Sequence, residues 1–165
     1  MHARIVQAGQ RLPLLVRPLR DGDTDTVAAV FERLGPESRR ARFNGPKPFL
    51  TTAELRQLAQ VDTTRHALVG YVDGDPLPVA IARLVRDGRS AEIAFGVADA
   101  YHGRGIGSAL AAELLADARA AGIRTISALV ANDNRAAVAQ LRRDHDALEV
   151  RLEGAELWIS GPVPA

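Results

Sequence analysis

The sequence predicts an α/β domain with a mixed, mostly antiparallel central sheet of about six to seven strands, flanked by about four to five helices. The first observation is the order of patterns along the chain, β-α-α-α-β-β-β-α-β-α-β-β, in which short apolar runs and helical stripes follow one another. The second is size and composition, since 165 residues, 47% apolar and 25% charged, are typical of one globular domain. We therefore expect a single domain over residues 1–165, with a flexible N-terminus over residues 1–12.

The first half of the chain predicts one strand followed by three helices. The strand is Leu14–Leu19, an apolar run that ends near a proline. Apolar stripes and stop signals predict helices over Thr24–Leu34, over 36–43 and over 51–60. The third helix begins with a capping-box pattern, in which Thr51 is the cap and Glu54 occupies the third helical position.

The second half of the chain predicts the rest of the sheet. Asp-Gly turns separate three apolar runs, which we expect to form antiparallel strands at His66–Val72, Val79–Val85 and Ala91–Val97. An Ala- and Leu-rich helix follows at Ile106–Ala121. The last elements are a strand, a helix and a hairpin, at Thr125–Val130, Asn134–Arg143 and 148–160. The exposed edge of that hairpin could pair two chains as a homodimer.

Composition excludes several classes of function. The net charge of +1 gives no electrostatic case for binding nucleic acid or an anionic membrane. Because the chain has no cysteine, disulfides, thiolate metal sites and cysteine nucleophiles are excluded. No apolar run approaches the roughly 20 residues of a membrane span, and the first residues lack the apolar core of a signal peptide. From these two absences we expect a cytoplasmic protein. No cluster of His, Asp and Glu residues has metal-ligand spacing, so we expect no bound metal.

The segment His102–Gly107 carries the most specific chemical signal, because it joins a predicted strand to a predicted helix. The first turn of a helix has backbone N–H groups without intrahelical partners, and the helix dipole adds partial positive charge there. Gly103, Gly105 and Gly107 lack a Cβ, so a bulky anion can approach the backbone closely. The pattern predicts a phosphate or pyrophosphate site, to which Arg104 could add a guanidinium contact.

Other interpretations of these glycines are weaker. A P-loop is excluded because Gly-Lys-Ser/Thr is absent. A dinucleotide-binding fold is disfavoured because the glycines follow antiparallel hairpins and the five-residue loop Ala98–His102, although Asn132 and Asp133 could mimic its ribose-binding acid. The glycines could also form no more than a turn.

The run from Tyr101 to Leu110 resembles the signature of the GNAT superfamily of N-acetyltransferases, and the order of elements agrees over roughly 14–150. That signature, Gln/Arg-x-x-Gly-x-Gly/Ala, is matched by His102-Gly103-Arg104-Gly105-Ile106-Gly107 with histidine in first place. The resemblance implies that this turn and Ser108 bind the pyrophosphate of acetyl-CoA. It implies that the pantetheine arm lies in a splay between Ala91–Val97 and Thr125–Val130, against the backbone of Phe95, Gly96 and Val97. Gly96 would suit the bulge that opens such a splay.

Within the superfamily, the chain is similar to a bacterial group of protein-lysine acetyltransferases that are often fused to regulatory domains. Val16–Arg20, Pro36–Phe43 and Ala91–Phe95 carry this similarity. Because 165 residues leave no room for a regulatory domain, we expect the catalytic domain alone. The basic run Arg39–Phe43 borders the acceptor cleft in this family. It could attract an acidic acceptor or a CoA phosphate, or it could be a solvated helix face.

A later family motif, Asn-x-x-Ala-x-x-x-Tyr-x-x-x-Gly-Phe, is matched only in part. Asn134 is present, and we expect it to cap a helix and to contact CoA. Leu141 stands in place of the tyrosine that many members use as general acid, and His145-Asp146 stands in place of Gly-Phe. These departures affect the predicted mechanism more than the predicted fold.

Acetyl transfer to an amine requires a neutral amine, a polarised thioester and a proton for the leaving thiolate. Glu92 is the candidate general base, because it interrupts an apolar strand where burial could raise its pKa. The resemblance implies a glutamate base at this same place. We predict an enzyme that moves an acetyl group from acetyl-CoA to a primary amine, either a small molecule or a protein lysine. The alternative is a non-catalytic CoA-binding or protein-interaction module with a degenerate site, which the departures at 102, 141 and 145–146 favour.

Overall fold

The computed structural model describes residues 2–131, 149–153 and 156–163. In this part of the chain there are eight strands: β1 Arg4–Ala8, β2 Leu12–Pro18, β3 Arg65–Val72, β4 Ala80–Asp87, β5 Ser90–Val97, β6 Thr125–Ala131, β7 Glu149–Glu153 and β8 Glu156–Pro162. The α-helices in the same ranges are α1 Thr24–Glu32, α2 Pro36–Phe43, α3 Thr52–Ala59 and α4 Ile106–Ala120. The predicted helix Asn134–Arg143 lies outside the described residues.

One sheet contains all eight strands in the order β1-β2-β3-β4-β5-β6-β8-β7. Every neighbouring pair is antiparallel except β5 and β6, which run parallel. The predicted mixed, mostly antiparallel sheet is therefore confirmed, with one strand more than the upper estimate. β7 lies at one edge, where pairing between two chains stays a prediction.

The extra strand corrects the expectation of a flexible N-terminus. Arg4–Ala8 pairs with β2 from Arg4↔Val16 to Ala8↔Leu12. Val6 and Ala8 pack into the core, and Arg4 forms ion pairs with Glu113 and Asp117 of α4. This strand was not predicted because its alternation of apolar and polar residues covers only five positions. One of them is the charged Arg4, whose ion-pair partners lie far away in the sequence.

Local signals explain where the helices begin. Asp23 caps α1 by accepting a hydrogen bond from the Thr26 N–H at 3.0 Å. Pro36 occupies the first turn of α2, where its missing N–H costs nothing. Thr51 and Glu54 form the predicted capping box at the start of α3.

The helices cover both faces of the sheet. On one face α4 buries Ile106, Leu110 and Leu114 against the central strands. On the other face α1 and α3 pack through Val27 and Ala59 against β3. Of the helices in the described ranges, none combines the length and apolar character needed to cross a bilayer.

Candidate functional site

The most informative feature is the point where the two parallel strands at the centre of the sheet separate. β5 and β6 pair at Ser90↔Thr125, Ala91↔Ile126 and Glu92↔Ser127, and within the described residues the two strands do not pair beyond that point. Both strands nevertheless continue, to Val97 and Ala131, and each keeps its other neighbour. The result is a wedge that opens toward the carboxyl ends of both strands. The free edge of β5 can pair with an extended ligand that carries amide groups.

A glycine turn lies at the mouth of this wedge. After β5 the chain makes a 3₁₀ turn at Asp99–Tyr101 and passes through Gly103 and Gly105, both with positive φ, into α4. No side chain caps the N-terminus of α4, so its first N–H groups remain available to an anion. A Cβ placed on Gly103 would meet nothing within 4 Å, so the outer side of this turn is open.

The N-terminal segment supports the turn from behind. A Cβ on Gly105 would lie 2.5 Å from the backbone nitrogen of Gly9, and a Cβ on Gly9 would lie 3.0 Å from the carbonyl oxygen of Arg104. The two backbones therefore approach each other more closely than any other residue would allow. Gly9 was missed by the sequence analysis because no local pattern shows that residues nearly a hundred positions apart will touch.

His102 is held by the end of β5. Its Nε2 lies 2.9 Å from the carbonyl oxygen of Val97, so Nε2 carries hydrogen and donates. The side chain is about half exposed. The imidazole thus closes the turn that joins β5 to α4, and its predicted contact with CoA stays a prediction.

Arg104 is positioned by an aromatic ring and a half-buried hydrogen-bond network behind it. Its guanidinium carbon lies 5.0 Å from the centre of the Tyr101 ring. The Tyr101 hydroxyl donates to Asp75 at 2.7 Å, and Arg33 donates to the same oxygen of Asp75 at 2.6 Å. These hydrogen bonds, that of Arg33 first, hold the pKa of Asp75 well below its usual range, while Asp75 raises the pKa of Tyr101. Asp75 was not singled out as a site residue, because Asp73-Gly74-Asp75 reads locally as turn chemistry.

The position of Glu92 departs from the sequence-based argument. Along β5, Ala91 and Ile93 are buried toward α4, whereas Glu92 points to the face that carries the first three helices and is exposed. The expected burial of Glu92 is therefore wrong. Its place is nevertheless distinctive, because Glu92 belongs to the last pair before β5 and β6 separate.

Gly96 also differs from the expectation. The pairing of β4 with β5 runs without an inserted residue from Ala80↔Val97 to Asp87↔Ser90, so Gly96 does not form a bulge. The wedge arises instead from the divergence of β6. Gly96 is buried, and a Cβ there would make ordinary contacts with Leu34 and Ile81.

A pocket lies on the Glu92 face, between the first three helices and strands β4 and β5. Its wall is mostly apolar and contains two arginines, one on α2 and one on β4. The lining residues are Val27, Val30, Phe31, Leu34, Arg42, Phe43, Leu50, Leu58, Ile81, Arg83 and Gly96. A substrate in this pocket would lie on the opposite side of β5 from α4.

The structure brings most of the predicted site residues together. Phe95, Gly96 and Val97 lie on the stretch of β5 that no longer pairs with β6. The turn and the first residues of α4 contain the others, namely His102, Gly103, Arg104, Gly105, Ile106, Gly107 and Ser108. Asn134, Leu141 and His145-Asp146 lie outside the described residues. Among the residues that are described, no group of three or more His, Asp or Glu is placed to hold a metal ion.

Comparison of the sequence with known proteins finds a family model and relatives that are described as acetyltransferases. The sequence model of a family described as "Acetyltransferase (GNAT) family" matches residues 29–145. Acetyltransferase Pat of Mycolicibacterium smegmatis is 37% identical over 126 residues, which cover 73% of this chain and 37% of that protein. An acetyltransferase of Pseudomonas aeruginosa is 33% identical over 128 residues, covering 74% of this chain and 69% of its own.

The fold is matched as well. The crystal structure of the GNAT domain of S. lividans PAT superposes with a TM-score of 0.87 at 25% identity, over 97% of this chain and 96% of that one. The chain therefore spans a whole domain of that neighbour, but little more than a third of the length of the mycobacterial relative.

Proposed function

The chain belongs to the acetyltransferase (GNAT) family, and from that premise we propose that it transfers an acetyl group from acetyl-CoA to a primary amine. The observation that carries the proposal is the wedge between β5 and β6 with the glycine turn at its mouth. A wedge with a free strand edge suits an extended arm that contains amides, and the uncapped start of α4 suits the pyrophosphate at the end of that arm. The names of the relatives support acetyl transfer, and the similarity to the protein-lysine group favours a lysine amine as acceptor.

In the proposed reaction the neutral amine nitrogen attacks the carbonyl carbon of the thioester. The carbon–sulfur bond breaks, CoA leaves as a thiolate that takes up a proton, and the new amide nitrogen loses one. Glu92 is the proposed acceptor of that proton, because it lies at the point where the wedge closes and faces the side with the pocket. Being exposed, it can exchange the proton with water.

Binding of the acyl donor can be tested with a change that the fold should tolerate. Gly107 lies in the first turn of α4, where the carboxylate of Gly107→Glu is favoured by the helix dipole but repels a pyrophosphate. We expect acetyl-CoA to bind the wild type in the micromolar range by isothermal titration, and this variant at least about tenfold more weakly. Thermal stability should be unchanged or higher.

The control is Ala112→Glu, which adds the same charge to an exposed position further along α4. This variant should bind acetyl-CoA like the wild type. Equal binding by both variants would show that the anion does not lie at the start of α4, and a folded wild type that binds no acetyl-CoA would contradict the proposed function.

The role of Glu92 requires a separate test. Glu92→Gln preserves the shape of the side chain and removes its basicity, so we expect thiol release in the presence of amine to fall about 100-fold or more. Acetyl-CoA affinity should not change, because the side chain points away from α4. A variant with full turnover would exclude Glu92 as the base. A wild type that binds acetyl-CoA but releases no thiol with any amine class would favour the non-catalytic module.

A further inference from the structure

The pocket beside Glu92 contains two positive charges that no acidic side chain of the described chain neutralises by direct contact. Arg83 of β4 is only 8% exposed, and one of its N–H groups donates to the carbonyl oxygen of Gln57 at 2.9 Å. Arg42, in the last turn of α2, lies with its guanidinium carbon 5.0 Å from the centre of the Phe43 ring. Within residues 2–131, 149–153 and 156–163, neither guanidinium has a carboxylate at ion-pair distance.

Three other half-buried arginines of this protein have such partners. Arg4 pairs with Asp117 at 3.1 Å, Arg33 with Asp75 at 2.6 Å, and Arg65 with Asp62 at 2.8 Å. Removing a guanidinium from water without a carboxylate or phosphate is costly, and two in one pocket also repel each other. Burial, and then the charge of Arg83, lower the pKa of Arg42 to about 10, with Glu92 acting in the opposite direction. A bound anion would relieve both effects.

The pocket adjoins the proposed reaction centre. Arg83 stands opposite Ala94 on β5, so Glu92, two residues earlier on the same face, is its diagonal neighbour. Gly96, which forms part of the pocket wall, lies on the stretch of β5 proposed to contact the acyl donor. A ligand held by the arginines would therefore place its other end near both Glu92 and the thioester.

We propose that Arg42 and Arg83 bind a carboxylate carried by the amine acceptor, an inference that rests on the proposed acetyl transfer. Guanidinium groups recognise carboxylates through paired N–H···O bonds, which neutral amides cannot reproduce. The apolar wall from Val30, Phe31 and Leu58 suits the methylene groups between the carboxylate and the amine. The carboxylate could belong to a free amino acid or to an acidic residue beside a lysine in a peptide.

The test compares acceptors that differ only in that charge. One arm uses free lysine against lysinamide, and the other uses a capped dipeptide of lysine and glutamate against one of lysine and glutamine. In at least one arm the wild type should show kcat/KM at least about tenfold higher for the carboxylate acceptor. Arg42→Gln should bring that ratio close to one by lowering only the carboxylate value. Arg56→Gln, on the exposed side of α3, removes the same charge outside the pocket and should keep the wild-type ratio.

A binding measurement separates this proposal from the proposed function. Pentanoate should stabilise the wild type in a thermal-shift titration without acyl donor, pentanamide should not, and Arg42→Gln should abolish the difference. If the wild type shows this difference in thermal shift but has no acetyltransferase activity, the anion site is supported and the proposed function is contradicted. An active enzyme whose acceptor ratios are near one in both arms would overturn the inference. It would also be overturned if Arg42→Gln weakened only the use of succinyl-CoA relative to butyryl-CoA, since the carboxylate would then belong to the donor.

Discussion

Gly105 meets two structural requirements at one position. Its φ of 72° lies in the left-handed region, which side chains with a Cβ adopt at a cost, and its backbone touches that of Gly9. Gly103 has nearly the same φ, 73°, but is surrounded by open space. A side chain at Gly103 would therefore meet only backbone strain, whereas one at Gly105 would meet the same strain and a steric clash with Gly9.

We expect Gly105→Ala to destabilise the protein clearly more than Gly103→Ala. Gly103→Ala should lower the free energy of unfolding by about 1–2 kcal/mol through backbone strain alone. Gly105→Ala should lose a further ~1–3 kcal/mol, because its methyl group would overlap the backbone of Gly9. Urea unfolding of both variants measures the difference. Equal losses would mean that the N-terminal segment moves aside freely and gives the turn no support.

Arg104 illustrates how a residue predicted for binding can depend on others that carry no motif. Its ring partner Tyr101 is held by Asp75, which Arg33 in turn holds from the end of α1. The resemblance to the family predicts that the turn binds CoA, but it does not predict this series of contacts behind Arg104. Long-range contacts of this kind depend on the folded arrangement of three separate segments.

At the scale of elements, α3 begins as its sequence predicts. The Thr51 hydroxyl accepts from the Glu54 N–H at 3.2 Å, and the Glu54 carboxylate accepts from the Thr51 N–H at 2.8 Å. The hydrogen bond from Lys47 and then those from Thr51 lower the pKa of Glu54 to about 2. The carbonyl of Gln57 in this helix also anchors Arg83, so the cap supports one wall of the pocket.

Thr51→Ala should cost about 1 kcal/mol of stability, because the N–H of Glu54 loses its partner at the first turn. For a domain of this size that corresponds to a fall in Tm of about 2–4 °C. Thr52→Ala is the matched control, since Thr52 lies inside the helix and is exposed. Calorimetry should show a Tm near that of the wild type for the control. A similar fall in both would contradict the capping argument.

The elements that were predicted well share a local cause. Helix caps, Asp-Gly turns and apolar periodicity act over a few residues, so the bounds of α2, α3, α4 and β3 agree with the prediction to within one or two positions. β1 was missed because its apolar alternation is short and because Arg4 is held by acidic residues of α4, far away in the sequence. The exposure of Glu92 and the unbroken strand at Gly96 were missed for the same reason. Which face of a strand is covered depends on helices that lie elsewhere in the sequence.

At the scale of the whole molecule, the sheet consists of two parts. β1 to β5 form one antiparallel set, and β6, β8 and β7 form another. Three residue pairs between β5 and β6 join the two sets directly. Helices also connect them, because α2 packs against both of these strands and because Ile126 and Ile159 continue the core beneath α4. The proposed binding site is thus made by leaving the centre of the sheet incomplete, while helices on both faces hold the parts together.

This interruption has a mechanical consequence. In a continuous sheet, a force that separates neighbouring strands is shared by a full ladder of hydrogen bonds, but here the junction of the two sets offers only three residue pairs. We expect the molecule under tension across the sheet to tear first at this seam, into a five-stranded and a three-stranded piece. A ligand that contacts both β5 and β6 would add bonds across this junction. Filling the gap would therefore raise the force needed to separate the two sets of strands.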